Sequence, residues 1–379
     1  MQPLILHIAG FAPAYGGNFI ASLAVVRENC KNNGRDFALI LPQEAQERPW
    51  CKDLISKGWD IHFITRKSIV GNVYQLIKIC TRKKPKILHT HFTEFDIAAW
   101  LTAHIISLAQ RRTIRTIWHI HSDFPIQNTF LRKLKDLIKF RAMGRSAYII
   151  IVSNHLKNRP LAAGFNKNRI FVVANGISFD RLYNPQNKTS IFKKLGLKKD
   201  TTVLMFGWHP FIKGVDIALS AFEIVQKTRP DISLVIVGLD KTKTELARRY
   251  TKYPAWLYLI PPTQNVTEYF ANANIFLSAS RREGFPYSVA EAIACGCLII
   301  SSNIPALEWM KNNINCLWHE PENTHELASN ILSYMALHGE DTIIKIVKPN
   351  IDFIKERYSA ERYARNLVKI YNDITFKQI

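Results

Sequence analysis

Apolar positions in this chain fall in short continuous runs, and between the runs they recur at helical spacing. Leu4–Ile8, Phe37–Leu41, Trp59–Ile64, Ile87–His89, Thr116–Ile120, Tyr148–Val152 and Ile170–Val173 read as short strands, with helical stretches between them. Such alternation predicts a parallel sheet covered by helices on both faces. A second series follows at Thr202–Phe206, Leu234–Val237, Leu257–Ile260, Ile275–Ser278 and Leu298–Ser301. Residues 178–200 between the two series are polar and without period, as an interdomain linker would be. The last periodic stretch, about Ile351 to Asn372, reads as one helix rich in tyrosine and charge. The chain is therefore expected to be α/β, with two similar halves in tandem.

In parallel sheets ligands gather beyond the carboxyl ends of the strands. In the first half those positions hold the turn Gly10, Pro13, Gly16 and Gly17 ahead of a helical pattern from Phe19 to Asn29. They also hold His89 and His91, His119 and His121, Ser153, and Asn175 with Gly176. The glycine spacing fits neither the dinucleotide fingerprint nor the P-loop. Alternate residues on a strand share a face, so each His-x-His pair offers two nitrogens to a metal. No Asp-x-Asp pair occurs to join them, and the expectation is that no metal is bound and that His89 is a core or strand-end residue.

In the second half the strand Thr202–Phe206 is followed by Gly207, Trp208, His209, Lys213 and Gly214. Further on, SRREGFPYSVAEAIACG spans Ser280 to Gly296, between an apolar run, Ala273–Ala279, and a helical segment, Val289–Ala294. Gly284 and Pro286 break the chain between them, and Ser288 with Glu291 has the spacing of a capping box. Glu283 and Glu291 would thus stand at a strand end and at a helix N-terminus, where backbone N–H groups favour phosphate and carboxylates can accept from sugar and ribose hydroxyls.

Length and charge sharpen the picture. At 379 residues two domains are the default, and 47% hydrophobic residues without low-complexity tracts indicate folded domains. The longest uncharged apolar run, Ile97–Gln110, is too short to span a bilayer and reads as a buried helix. MQPLILHIAG lacks a basic leader and reads as a first core strand. Six scattered cysteines suit small apolar residues in a reducing cytoplasm. The net charge of +21 is uneven: residues 1–180 hold 26 Lys/Arg against 11 Asp/Glu, or +15. An anionic partner is implied. Asn128 to Gly144 reads as a basic amphipathic helix, with Phe130, Leu131, Leu134, Leu137, Ile138 and Met143 at helical spacing among Arg132, Lys133, Lys135, Lys139 and Arg141. With Arg82, Lys83, Lys84 and Lys86 it suits an anionic lipid surface or a lipid diphosphate.

Glu283-Gly284-Phe285 followed by Glu291, Ala292, Ala294, Cys295 and Gly296 resembles the glutamate–seven residues–glutamate signature of the retaining glycosyltransferases of family 4. The Gly16–Gly17 pair, His121, Val152–Ser153, Asn175–Gly176 and Lys213–Gly214 match that family in order along nearly the whole chain. One position departs: Trp208 stands where the family has an arginine that helps hold the donor diphosphate, and a tryptophan cannot replace a bidentate cation.

The resemblance implies a GT-B fold, two Rossmann-like domains facing across a cleft. Residues 1–180 would form the acceptor side and 181–355 the nucleotide-sugar side, with 356–379 a C-terminal helix returning to the first domain. It implies a retaining, metal-independent transferase without cofactor, moving sugar from a nucleotide sugar, taken as a UDP-sugar, to a glycan or lipid-linked acceptor in cell-surface polysaccharide synthesis. His121, Glu283 and Lys213 would be catalytic. Gly16, Gly17, Asn175, Gly207, Lys213, Gly284, Phe285, Pro286 and Glu291 would bind the donor, and His209, Arg281 or Arg282 would compensate for Trp208. The expected place is the cytoplasm, peripheral at the inner face of the membrane, with no nucleic-acid partner. Rival readings are a nucleotide-sugar epimerase of the same fold and a basic nucleic-acid-binding protein.

Overall fold

A computed structural model describes residues 2–122, 129–182, 192, 196–197, 201–263, 266–337 and 339–376, without the side chains of 131, 132 and 376. The chain divides into two compact units, residues 1–176 with 360–379, and residues 177–359.

The first unit is built on seven strands: β1 Leu4–Ala9, β2 Asp36–Pro42, β3 Ile61–Ile64, β4 Ile87–His91, β5 Arg115–Ile120, β6 Ala147–Ile151 and β7 Ile170–Val172. All pair in parallel, in the order β3-β2-β1-β4-β5-β6-β7. Alternate residues face opposite sides. Leu4, Leu6, Ile8 and Leu88 pack with Ala98, Ala99 and Ile106 of the helix Asp96–Gln110. On the other side Ile5, Ile87, Ile117, Tyr148 and Ile150 pack with Val26 and Cys30 of the helix Gly17–Asn32 and with Tyr363, Leu367, Tyr371 and Ile374 near the C-terminus.

The second unit contains β8 Thr201–Phe206, β9 Ile232–Val237, β10 Leu257–Ile260, β11 Ile275–Ser278, β12 Leu298–Ser302 and β13 Cys316–His319, parallel in the order β10-β9-β8-β11-β12-β13. In each sheet the winding reverses once, between β1 and β4 and between β8 and β11. At such a switch point the loops leaving neighbouring strands diverge and open a crevice for ligand.

Four expectations are corrected. β13 is an additional edge strand; its half-buried sequence CLWH carries no long apolar run. The single terminal helix is two, Glu340–Tyr358 and Ala360–Phe376, separated where Ser359 turns extended (φ −66°, ψ 151°). The break matters, because the first helix belongs to the second unit and the second to the first. The basic helix is irregular: Phe130–Asp136 is α-helical, Leu137–Ala142 a π-helical turn and Met143–Arg145 a 3₁₀ turn, with Asn128 outside the described residues. Of the expected linker, Phe179–Leu182 is helical and most of 183–200 lies outside the described residues.

Candidate active site

The second unit places its site residues around the β8/β11 switch point. Gly207, at the end of β8, gives its N–H to Val237 (2.8 Å) and takes the Thr242 hydroxyl on its carbonyl (2.6 Å). The chain then makes one helical turn, Pro210–Lys213, and leaves it through Gly214 at φ +67°. A Cβ on Gly214 would lie 2.0 Å from the carbonyl oxygen of Ala279, so only glycine lets this loop press against the end of β11.

That approach buries Lys213 and brings its Nζ within 2.5 Å of Glu283 Oε1. The Ser280 hydroxyl donates to the same oxygen at 2.8 Å. Trp208 lies against this ammonium, its ring centroid 4.5 Å from Nζ. Where an arginine was expected, the tryptophan supplies a π face to the one lysine already there.

Glu291 lies buried on the helix Tyr287–Ala294. The capping-box reading is corrected: the helix starts a residue before Ser288, its N-cap is Pro286, and no side chain caps it. Glu291 instead accepts from Arg181 Nη1 at 2.5 Å. Arg181 went unnoticed because it lies in the segment read as linker. Between the two glutamates Phe285 is buried, stacked 5.2 Å from Trp309.

Of the three side chains considered as substitutes for the missing arginine, Arg281 is committed elsewhere. Its guanidinium grips Asp216 through two hydrogen bonds (2.9 and 2.7 Å) and Glu322 through two more (2.5 and 2.8 Å). These hydrogen bonds hold its pKa above the ordinary value. Burial pushes the Asp216 carboxyl up, and the Arg281 hydrogen bonds and charge more than offset this to leave it lowered. His209 is exposed just ahead of the Pro210–Lys213 turn, and Arg282 is half-buried with no ion pair among the described residues.

In the first unit Gly16 and Gly17 open the helix that follows β1. Gly17 has φ +57°, and a Cβ there would meet nothing within 4 Å, so one side of the turn is open. Across the switch point, His121 follows β5 and its Nδ1 lies 3.1 Å from Asn175 Oδ1. Both are buried. His121 is also the end of a larger array that the sequence shows only in part. His7 on β1, His89 and His91 on β4, and His119 and His121 share one sheet face, since His7 pairs with His89 and His91 with His119 in register. Their rings are joined by contacts of 2.9 Å (His7–His91), 3.0 Å (His91–His121) and 3.1 Å (His89–His119).

Burial drives the pKa of His7 and His121 down to about 3, and those of His89, His91 and His119 well below 6.5. All five are neutral at pH 7. Two triplets, His7/His89/His91 and His91/His119/His121, have ring nitrogens within 4.8 Å of one another and so the reach to hold a metal ion. No carboxylate is hydrogen-bonded to any of these rings among the described residues, so the charge of a divalent ion would go unneutralised in a buried place.

Sequence models of two glycosyltransferase families match this chain in succession: Glycosyltransferase Family 4 over residues 42–181 and Glycosyl transferases group 1 over residues 200–336. The chain is a family-4 glycosyltransferase of the group 1 type. This glycosyltransferase is 24% identical over 220 residues to the N,N'-diacetylbacillosaminyl-diphospho-undecaprenol alpha-1,3-N-acetylgalactosaminyltransferase of Campylobacter jejuni, a match covering 56% of each chain. It is 23% identical over 295 residues to the putative teichuronic acid biosynthesis glycosyltransferase TuaC of Bacillus subtilis, covering 77% of this chain and 71% of TuaC. The fold of the family-4 glycosyltransferase is similar to that of a glycosyltransferase from Rickettsia africae (TM-score 0.82, 19% identity, all of both chains). It is also similar to Anabaena Alr3699/HepE, solved in complex with UDP (TM-score 0.76, 16% identity, 98% and 100% of the chains). These are GT-B structures, and the glycosyltransferase shares their paired parallel sheets. Among the described residues no helix is long and apolar enough to cross a membrane.

Proposed function

We propose that the protein is a retaining, metal-independent glycosyltransferase that moves sugar from a UDP-sugar to a hydroxyl of a glycan or lipid-linked glycan in cell-surface polysaccharide synthesis. The observation that carries this reading is the pair of buried ion pairs beside one switch point, Lys213 with Glu283 and Arg181 with Glu291. Buried charges of this kind cost desolvation energy and are a poor way to gain stability alone, so a role in binding a charged ligand accounts for them better.

In this reading Glu291 holds the ribose hydroxyls and Glu283 those of the donor sugar. Lys213 stabilises the charge that collects on the diphosphate as the anomeric bond breaks. Gly207, Gly284, Phe285 and Pro286 shape the nucleotide side. His209 and Arg282 remain as N–H donors for the diphosphate, and Asn175 and His121 belong to the sugar side. The acceptor hydroxyl attacks on the face the diphosphate leaves, which preserves the anomeric configuration, and no divalent cation is needed. UDP among the ligands of Anabaena HepE and a lipid diphosphate in the name of the Campylobacter relative support the choice of donor and acceptor.

The exposed surface of the basic segment supports peripheral membrane contact. Phe130, Leu134, Leu137 and Ile138, spaced to share a face, are 79%, 42%, 42% and 47% exposed, among the exposed Lys133, Lys135 and Arg141.

Thermal stabilisation by a panel of nucleotide sugars tests the reading. A cognate donor at a hundred times its Kd adds about 2.7 kcal/mol. Glu291→Gln is expected to weaken UDP-sugar binding by about 1–3 kcal/mol. Wild-type binding and turnover in both Glu291→Gln and Glu283→Gln would overturn it, and conversion of donor to an isomer without acceptor would favour an epimerase.

A further inference from the structure

The histidine array in the first unit is a single unbranched chain of hydrogen bonds, and its direction can be deduced. Besides the ring contacts above, Tyr371 Oη, from the helix Ala360–Phe376, lies 2.7 Å from His89 Nδ1 and 3.3 Å from His7 Nε2. The order is therefore His119, His89, Tyr371, His7, His91, His121, Asn175. A neutral imidazole donates from one nitrogen and accepts at the other. Asn175 Oδ1 can only accept, so His121 carries its proton on Nδ1 and accepts at Nε2. The proton on His91 must then be on Nδ1, and His91 Nε2 accepts from His7 Nδ1. His7 Nε2 accepts from the Tyr371 hydroxyl, whose oxygen accepts from His89 Nδ1, and His89 Nε2 accepts from His119 Nδ1. With the amide oxygen of Asn175 facing His121, one assignment satisfies every link: all five rings are the Nδ1–H tautomer. A single atom is left over, the buried His119 Nε2, which has no partner among the described residues.

We propose that His119, His89, Tyr371, His7 and His91 are positioning residues that hold His121 in one neutral tautomer at the sugar side of the site. The proposal rests on the glycosyl-transfer reading for its purpose but not for its test. When the bond to the diphosphate breaks, the sugar carbon develops positive charge, as in glycoside hydrolysis. An imidazolium beside it would oppose that charge, whereas a neutral ring would not. The chain resists protonation of His121 because both its nitrogens are engaged, and so is every other basic nitrogen but the one at the far, buried end. Ending the chain on an amide instead of a carboxylate serves the same purpose, since a carboxylate at that place would favour the charged ring. Among the described residues, the titratable groups that act on Tyr371 within the chain are Tyr363 from the C-terminal helix, Cys30 from the helix Gly17–Asn32, and Arg35 ahead of β2. Burial raises both the tyrosine and the thiol, and none of these groups is an acid that would draw a proton onto the rings at neutral pH.

The assignment is read directly from the imidazole ¹⁵N resonances of the full-length protein, in chelator and without donor. Five rings of the Nδ1–H form that do not titrate between pH 5.5 and 8 are expected, the window being set about the ordinary histidine value of roughly 6.5. Asn175→Asp should add one proton at His121. That ring then donates from both nitrogens, His91 must accept at Nδ1, and each link beyond it reverses, so His7, His89, His91 and His119 all change to the Nε2–H form without moving a ring. Turnover should drop and recover as pH is raised. Tyr371→Phe, which removes one oxygen, should disturb His121 although two rings lie between them, and lower kcat about tenfold with little change in donor KM, the scale of one lost hydrogen bond. A mixture of tautomers in the wild type overturns the proposal. So does a change in Asn175→Asp that stops at His121, or unchanged His91 and His121 signals in Tyr371→Phe. Loss of donor binding in Glu291→Gln is read separately, so failure of the relay and failure of the transferase reading are distinct results.

Discussion

Glu283 is the partner of a lysine that, when donor is absent, has nothing else of opposite charge within reach among the described residues. Removing one member of such a buried pair leaves a charge without compensation, which costs on the order of 3–5 kcal/mol. Glu283→Gln is therefore expected to lower the melting temperature of the free protein. A diphosphate can take the place of the lost carboxylate at Lys213. UDP should then stabilise Glu283→Gln by more than it stabilises the wild type, while turnover drops because the sugar hydroxyls have lost their acceptor. Scanning calorimetry with and without UDP, beside a turnover assay, checks this. An equal UDP shift in both proteins would mean that Lys213 does not reach the diphosphate. At Gly214 the argument is steric: Gly214→Ala, with its Cβ 2.0 Å from the Ala279 carbonyl and φ at +67°, should lose stability and activity together.

Most strands were legible because each is a compact apolar run, and the glutamate motif was legible because a strand end, a turn and a helix start lie next to one another in sequence. What joins distant segments was not. Arg181 meets Glu291 from a stretch without periodicity, and Tyr371 meets His7 and His89 from the far end of the chain. His7 passed as part of a plain apolar strand because a neutral, hydrogen-bonded histidine behaves there as a core residue. The basic segment shows the same limit. Its charges read from sequence as one cationic surface for anionic lipid, yet Lys139 is bonded to the buried Asp96 at 2.6 Å and is not available to lipid. The membrane prediction is accordingly narrowed to Phe130, Lys133, Lys135 and Arg141. Changing these four to serine should cost several kcal/mol of binding to anionic vesicles, at about 1 kcal/mol per cation and more for the ring, and the loss should shrink in high salt. Transfer to a soluble acceptor should persist, as no donor-site residue is touched. Equal sedimentation of wild type and variant with anionic vesicles would reduce the segment to a structural cover for Trp118, against which Lys139 lies at 5.3 Å.

At the scale of the molecule the two units differ in what they keep buried. The first holds five histidines neutral inside its sheet face besides the Lys139–Asp96 pair, whereas among the described residues the second buries a single histidine of lowered pKa, His319, with two site ion pairs. A histidine whose folded pKa lies far below its unfolded value of 6.5 binds its proton only on unfolding. Stability from that ring is complete above pH 6.5 and is lost progressively as pH falls toward the folded value. Between pH 7 and pH 5 each such ring removes about 2 kcal/mol, so several together remove a large part of the 5–15 kcal/mol typical of a whole domain. Carboxylates titrate lower, near 4, so they do not produce a loss in this window. Calorimetry from pH 7.5 to pH 5 should therefore show one transition moving steeply down and another far more nearly fixed, since His319 is the one such ring among the described residues of the second unit. UDP identifies the fixed one, since it should raise the transition of the unit carrying Glu291. His89→Gln should reduce the slope of the moving transition by close to one proton while lowering it at every pH. If both transitions shift alike, or neither shifts above pH 5, the rings are not held neutral by the fold, and the acid sensitivity assigned to the first unit is wrong.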